Sequence, residues 1–170
     1  METIKIAHLY YDCMNLYGEN ANVKILKSFL EQQEIKVQIH FLTFEDVIDF
    51  NKYDLFYIGM GNENSQKCVI DDLIKYRNNI TDSIEKGKFF ITTGNAFNIF
   101  GKKIKNLNGN IINCLNIFNY FSEENDKRII TEQIYDCPKI NKKIIGYYNI
   151  ACNIIILSII YFLMKKQEII

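Results

Sequence analysis

The chain has one proline, two histidines, no Cys-x-x-Cys pair and no surplus of charge of either sign, and these shortages narrow its chemistry before any motif is read. Its 20 basic and 20 acidic residues cancel to zero net charge and lie in mixed runs. No basic stripe therefore marks a nucleic-acid partner. The five cysteines (Cys13, Cys68, Cys114, Cys137, Cys152) are widely separated and follow no secretory leader, which reads as free thiols in a reducing cytoplasm rather than a disulfide framework. His8 and His40 stand far from any paired cysteines, so neither a zinc site nor another cofactor is expected. The single proline, with abundant Ile, Asn and Lys, fits an AT-rich gene and carries no mechanism.

Apolar side chains are plentiful. At 170 residues and 48% hydrophobic content the chain can bury one substantial core, and one globular domain is expected. The chain is organised around residues 89–102. There an apolar run (Phe89, Phe90, Ile91) passes through Thr92, Thr93 and Gly94 into a segment whose apolar positions Ala96, Phe97, Ile99 and Phe100 suit a helix. Such a strand-turn-helix elbow lifts one side chain above the carboxyl edge of a sheet, where N–H groups at the helix start can hold a developing negative charge. The apex here is Gly94, which has no side chain to lift.

Ahead of the elbow, residues 3–10 turn from alternation to a continuous apolar run around His8, as a first strand entering a buried sheet does. His8 reads as a packed strand residue, since no partner marks it as a base. Residues 11–20 are polar and aromatic, with Asp12, Asn15 and Asn20 read as turn and cap residues. The rows Val23, Leu26, Leu30 and Ala21, Ile25, Phe29 predict a helix over 21–31, capped by Asn20 or Asn22. Residues 35–41 alternate strictly and predict a strand near a sheet edge. Residues 53–58 predict a buried strand running into Gly59-Met60-Gly61, a loop able to approach a ligand and present N–H groups, or an ordinary tight turn.

A single helix is predicted over 66–85, ended by Gly87. Residues 102–107 are basic and polar, with a turn at 108–110, and residues 111–121 are too rich in asparagine and β-branched side chains for a helix. A solvated loop is expected over 123–128, then strands over 129–135 and 139–148. Residues 144–164 carry no charge and are flanked by lysine pairs, so they read either as a core strand with a hydrophobic end segment or as a membrane-spanning stretch. The whole predicts a three-layer α/β sandwich with a mostly parallel sheet of flavodoxin-like type, its site at the carboxyl edge where the Gly59 loop meets the elbow.

Several segments together resemble one family, the class I glutamine amidotransferases of the cobyric-acid-synthase (CobB/CobQ) type, and among them the GatD-type subunits of lipid II isoglutaminyl synthase. The run Leu9-Tyr10-Tyr11-Asp12-Cys13-Met14-Asn15-Leu16-Tyr17-Gly18-Glu19-Asn20-Ala21-Asn22 is similar to those subunits' Leu-Tyr-x-Asp-x-Met-Asn-x-Tyr-Gly-Asp-x-x-Asn. Tyr53-Asp54 through Ile58-Gly59-Met60-Gly61-Asn62-Glu63-Asn64-Ser65-Gln66 resembles the family's Tyr-Asp strand and its Gly-Gly-Gly-Gln loop, which helps form the oxyanion hole. Residues 108–118 look like the stretch before its substrate loop, and Arg128 falls where it carries a glutamine-binding Lys-Arg pair. The resemblance covers about residues 6–149. It implies an amidotransferase-like domain over 1–150, shortened at its C-terminal side, and a hydrophobic tail over 151–170.

The resemblance also implies a chemistry and shows what is missing from it. In the family an elbow cysteine attacks the glutamine side-chain amide and a histidine near the chain end acts as base. Gly94-Asn95-Ala96-Phe97-Asn98-Ile99-Phe100-Gly101 stands for the family's Cys-Gly-Gly-Tyr-Gln-Leu-Leu-Gly, and Gly146-Tyr147-Tyr148-Asn149-Ile150 for its Gly-Phe-Glu-Asn-His. Gly94 therefore holds the nucleophile position and Ile150 the base position, so no catalytic residue is intact, and Cys152 has no neighbouring base to make it a substitute. Arg128, Gly59, Gly61 and Asn95 are the residues expected to bind a small amide such as glutamine. The expected function is that of a silent, cytoplasmic homologue related to cell-wall lipid II amidation, with a Mur-ligase-like (MurT) subunit as candidate partner. Two alternatives stand beside it: an active glutaminase subunit supplying ammonia to such a partner, and a membrane-tethered binding protein.

Overall fold

Burial without a break from Ile6 to Tyr10 puts β1 (Thr3–Leu9) in the interior of a sheet in the computed structural model, which describes residues 3–138 and 141–156. β2 (Lys36–Leu42) alternates in exposure and lies at one edge, as its sequence predicts. β3 (Leu55–Ile58) is buried at every residue, and β4 (Phe89–Thr92) forms the other edge. The order is β2-β1-β3-β4 and all three pairings are parallel. Parallel neighbours need crossovers, and helices supply two of them. α1 (Asn20–Gln32) joins β1 to β2, while α2 (Glu63–Leu73) and α3 (Arg77–Glu85) lie between β3 and β4.

The two faces of this sheet carry separate cores. Ile6, Val37, Leu55 and Tyr57 meet Val23, Leu26 and Leu30 of α1 on one face. Ala7, Leu9, Phe56 and Ile58 meet Val69, Ile70 and Leu73 of α2 and Ile80 of α3 on the other. That is the predicted three-layer α/β sandwich. On that second face Phe56 is fully buried between the rings of Phe50 and Phe90 at centroid distances of 5.1 and 4.6 Å.

A second sheet follows, ordered β6-β5-β7-β8, from β5 (Lys103–Lys105), β6 (Ile111–Asn113), β7 (Tyr120–Cys137) and β8 (Lys142–Ile156). It corrects several expectations. The basic stretch over 102–107 contains β5, whose hairpin with β6 turns through Asn106, Gly109 and Asn110. Residues 123–128 are not a solvated loop but part of β7, with a register irregularity between Glu124 and Ile129. Glu123 and Glu124 pair with Asn153 and Cys152, while residues 126–128 follow the strand as an exposed, irregular stretch, which is why their charge reads as a loop. The predicted strand over 129–135 lies in β7 and that over 139–148 joins it from Lys142 onward as part of β8 in one antiparallel pair, residues 139–140 lying outside the described residues, and the expected domain division at 150 falls within β8. Residues 157–170, with most of the predicted hydrophobic tail, lie outside the described residues. Among the described residues no helix is long and apolar enough to cross a membrane.

The helices also depart in detail. The stretch predicted as one helix over 66–85 is two, joined by a 3-10 turn at Ile74–Tyr76. That tighter turn goes with the Tyr76 ring lying 5.6 Å from Phe50. In α1 only the Val23, Leu26, Leu30 row faces the sheet, and Ile25 and Phe29 are 66% and 59% exposed, because six apolar positions span more than the stripe a helix lays on a sheet. Neither Asn20 nor Asn22 caps α1. Asn15 Oδ1 accepts from the Asn20 N–H at 3.0 Å instead, and Asn22 Nδ2 donates to the Tyr57 hydroxyl at 2.9 Å.

Candidate functional site

The elbow takes the predicted shape with a different helix. β4 ends at Thr92, Thr93 is extended, and Gly94 has φ +55, the left-handed conformation that a sharp strand-to-helix turn requires. The following segment, Gly94–Phe100, is a 3-10 helix rather than an α-helix. Its Ala96, Ile99 and Phe100 are buried as expected. It is also tied to the second sheet: Phe97 stacks on Tyr120 at 4.6 Å, and buried Asn98 accepts from the Ser122 hydroxyl at 2.9 Å through Oδ1.

The Gly59 loop meets this elbow at the carboxyl edge of the parallel sheet, where the topology places a ligand site. The Asn95 side chain accepts from the Gly61 N–H at 3.2 Å and donates to the Gly61 carbonyl at 2.8 Å. Gln66 Nε2 donates to the Asn95 carbonyl at 2.6 Å. Close approach explains both glycines of the loop, and what approaches is the chain itself. A Cβ on Gly59 would fall 2.1 Å from the Met14 carbonyl oxygen, and one on Gly61 would fall 2.5 Å from Met14 Sδ. Asp12 and Asn15 are turn residues of the segment that carries Met14, Asp12 accepting from the Thr43 hydroxyl at 2.9 Å and Asn15 from the Asn20 N–H.

Of the residues singled out in the sequence, Gly59, Gly61, Gly94 and Asn95 thus come together. Arg128 is exposed on β7 of the second sheet, within the stretch of irregular register. Ile150 lies on β8 with Ile129 as its pairing partner. Two residues at the corner escaped sequence reasoning. Met60 and Gln66 both contact the elbow, and the available signal was Met60 as the one large side chain between two loop glycines.

Cys13, Cys114 and Cys152 are not activated thiols. Burial, aided by the nearby Asp12 carboxylate, pushes the Cys13 thiol up to about 11. Burial pushes Cys114 up to about 12. Cys152 is also pushed up by burial, against a smaller opposing effect of the Asn98 amide, whose Nδ2 lies 3.8 Å from its sulfur. A nucleophilic cysteine needs the opposite shift. His8 is fully buried among the rings of Tyr57, Phe41 and Tyr11, neither ring nitrogen has a hydrogen-bond partner, and desolvation lowers its pKa to about 4. It is the packed strand histidine its sequence context predicts. Among the described residues no group of histidine, cysteine and carboxylate side chains could hold a metal ion.

Residues 5–149 match the CobB/CobQ-like glutamine amidotransferase domain. The chain belongs to that family. Two curated relatives agree with the assignment. The chain is 28% identical over 119 residues to the lipid II isoglutaminyl synthase (glutamine-hydrolyzing) subunit GatD of Streptococcus pneumoniae, a match covering 70% of this chain and 46% of that protein. It is 25% identical over 149 residues to the subunit of the same name from Staphylococcus aureus, covering 88% and 61%. This amidotransferase-family chain therefore matches between 46% and 61% of the length of these relatives.

Proposed function

We propose that this chain is a catalytically silent homologue of the GatD-type glutamine amidotransferase subunits, related to cell-wall lipid II amidation and acting as a scaffold for a Mur-ligase-like (MurT) subunit. The observation that carries the reading is the elbow apex: Gly94 has the left-handed backbone of a nucleophile turn and no side chain. The base position, Ile150, removes the second half of the chemistry, and with both residues gone covalent glutamine hydrolysis by the family mechanism is lost. Support for the scaffold comes from the intact parallel sheet and the Gly59–Gly94 corner, which stay ordered by their own hydrogen bonds. The partner rests on the similarity to subunits named as parts of lipid II isoglutaminyl synthase.

Size-exclusion chromatography of the purified protein mixed with a Mur-ligase-like subunit, with glutamate assayed across the peaks, tests both parts. Co-elution with glutamate at background is expected. Separate elution removes the partner, and glutamate formation in the shared peak removes the silence.

A further inference from the structure

Gly94 itself is exposed, yet the direction a side chain would take from it is filled. A Cβ built on Gly94 would lie 2.5 Å from Met60 Sδ, 2.8 Å from Met60 Cγ and 3.0 Å from Met60 Cβ. Those separations are below van der Waals contact, so the Met60 thioether stands in the volume any side chain at the apex would need. An unbranched, polarizable side chain suits that irregular gap. The polar part of the corner is occupied as well. An oxyanion held here would need N–H donors from the two facing turns, yet the Gly61 N–H already donates to Asn95 Oδ1 at 3.2 Å. The Asn95 Nδ2 takes the Gly61 carbonyl at 2.8 Å, and Gln66, only 5% exposed, holds the Asn95 backbone at 2.6 Å.

We infer that Met60, Asn95 and Gln66 form a built-in closure over the elbow, which shuts the corner to glutamine and to other small primary amides. Met60 fills the space of the nucleophile, Asn95 takes up the loop donor that would face the substrate oxygen, and Gln66 fixes Asn95 in place. A substrate amide would have to displace the thioether and break a two-point side-chain hydrogen bond at once. The inference deepens the silent reading and rests on Gly94 marking the nucleophile position. It makes the loss of chemistry a property of two facing turns rather than of one substitution, and it identifies Met60 as the residue that excludes substrate.

Alkylation by iodoacetamide at position 94, followed by peptide mass spectrometry, tests the closure in Gly94→Cys with and without Met60→Gly. With Met60 present the introduced thiol competes with the thioether for its space and reacts more slowly. The double variant is expected to react at least about tenfold faster, and equal rates overturn the closure. A thermal cycle on Gly94→Ala, Met60→Gly and the pair guards against a variant that folds poorly. The left-handed strain of alanine at position 94 is common to both backgrounds and cancels, so a smaller fall in Tm when Met60 is absent reports the contact itself. Additive shifts overturn it. Calorimetry of the unaltered protein with glutamine is expected to show no saturable heat, and saturable binding contradicts the closure. None of these readouts depends on glutamate release by the unaltered protein, which is the separate test of silence.

Discussion

The parallel sheet and the β7–β8 ribbon meet solvent in opposite ways. In the parallel sheet, β1 and β3 are buried on both faces, between α1 on one side and α2 with α3 on the other. In the ribbon, Ile129, Ile130, Ile134, Tyr135, Ile145 and Ile154 are all more than 40% exposed. The two sheets are thus held by different forces. The first sheet is fixed by side-chain burial, which also sets its register. The second is held along much of its length by backbone pairing, which tolerates the irregularity between Glu124 and Ile129. The elbow apex Gly94 follows an edge strand of the first sheet, and Ile150, the proposed base position, lies in the ribbon.

Phe56 offers the strongest way to break this comparison. Phe56→Ala removes a ring stacked on two others in a fully buried site and should cost about 3–5 kcal/mol. Ile134→Ala in the ribbon, where the side chain is 67% exposed, should cost no more than about 0.5 kcal/mol. Urea unfolding of the two variants side by side measures the contrast, and similar losses would erase it.

The next effect is a pH dependence placed in the parallel sheet. His8 stays neutral in the fold with a pKa of about 4, against the ordinary 6.5 of an unfolded chain. Between those values the unfolded state binds the proton that the native state refuses. Stability is therefore unaffected by His8 above pH 6.5 and falls as the pH drops toward 4, by roughly 3 kcal/mol in all. His8→Phe should flatten that slope in denaturant titrations at pH 7 and pH 5. A slope unchanged in the variant would assign the acid sensitivity to other groups.

A smaller effect belongs to the Gly59 loop. Asn62 Oδ1 caps α2 by accepting from the Ser65 N–H at 2.8 Å, so Asn62→Ala should cost about 1 kcal/mol. Thermal unfolding reads it, and a loss comparable with that of Phe56→Ala would mean that the loop does more than start a helix.

The same contrast explains how far the sequence could be read. Burial writes a period into a strand, so β1, β2, β3 and β4 were legible from residues 3–10, 35–41, 53–58 and 89–92. The Gly59 loop and the elbow were legible because glycines punctuate strand ends, and their meeting followed from the topology of a parallel sheet. The ribbon was harder. Glu123, Glu124, Asp126, Lys127 and Arg128 look like a loop because an exposed strand has no core to impose alternation on its side chains. The 3-10 form of the elbow helix follows from tertiary ties through Asn98, Ser122 and Tyr120, which no local pattern records. Met60 was hidden for a related reason. A methionine between glycines has no periodic signature, and its role appears only when the elbow is folded against it.

Glutamate release from glutamine, followed over time with the purified protein alone and with a Mur-ligase-like subunit, tests the silent elbow most directly. The account predicts glutamate at the level of the protein-free control in both samples. Release that rises in proportion to the amount of protein would contradict it, and would require a nucleophile other than a side chain at Gly94.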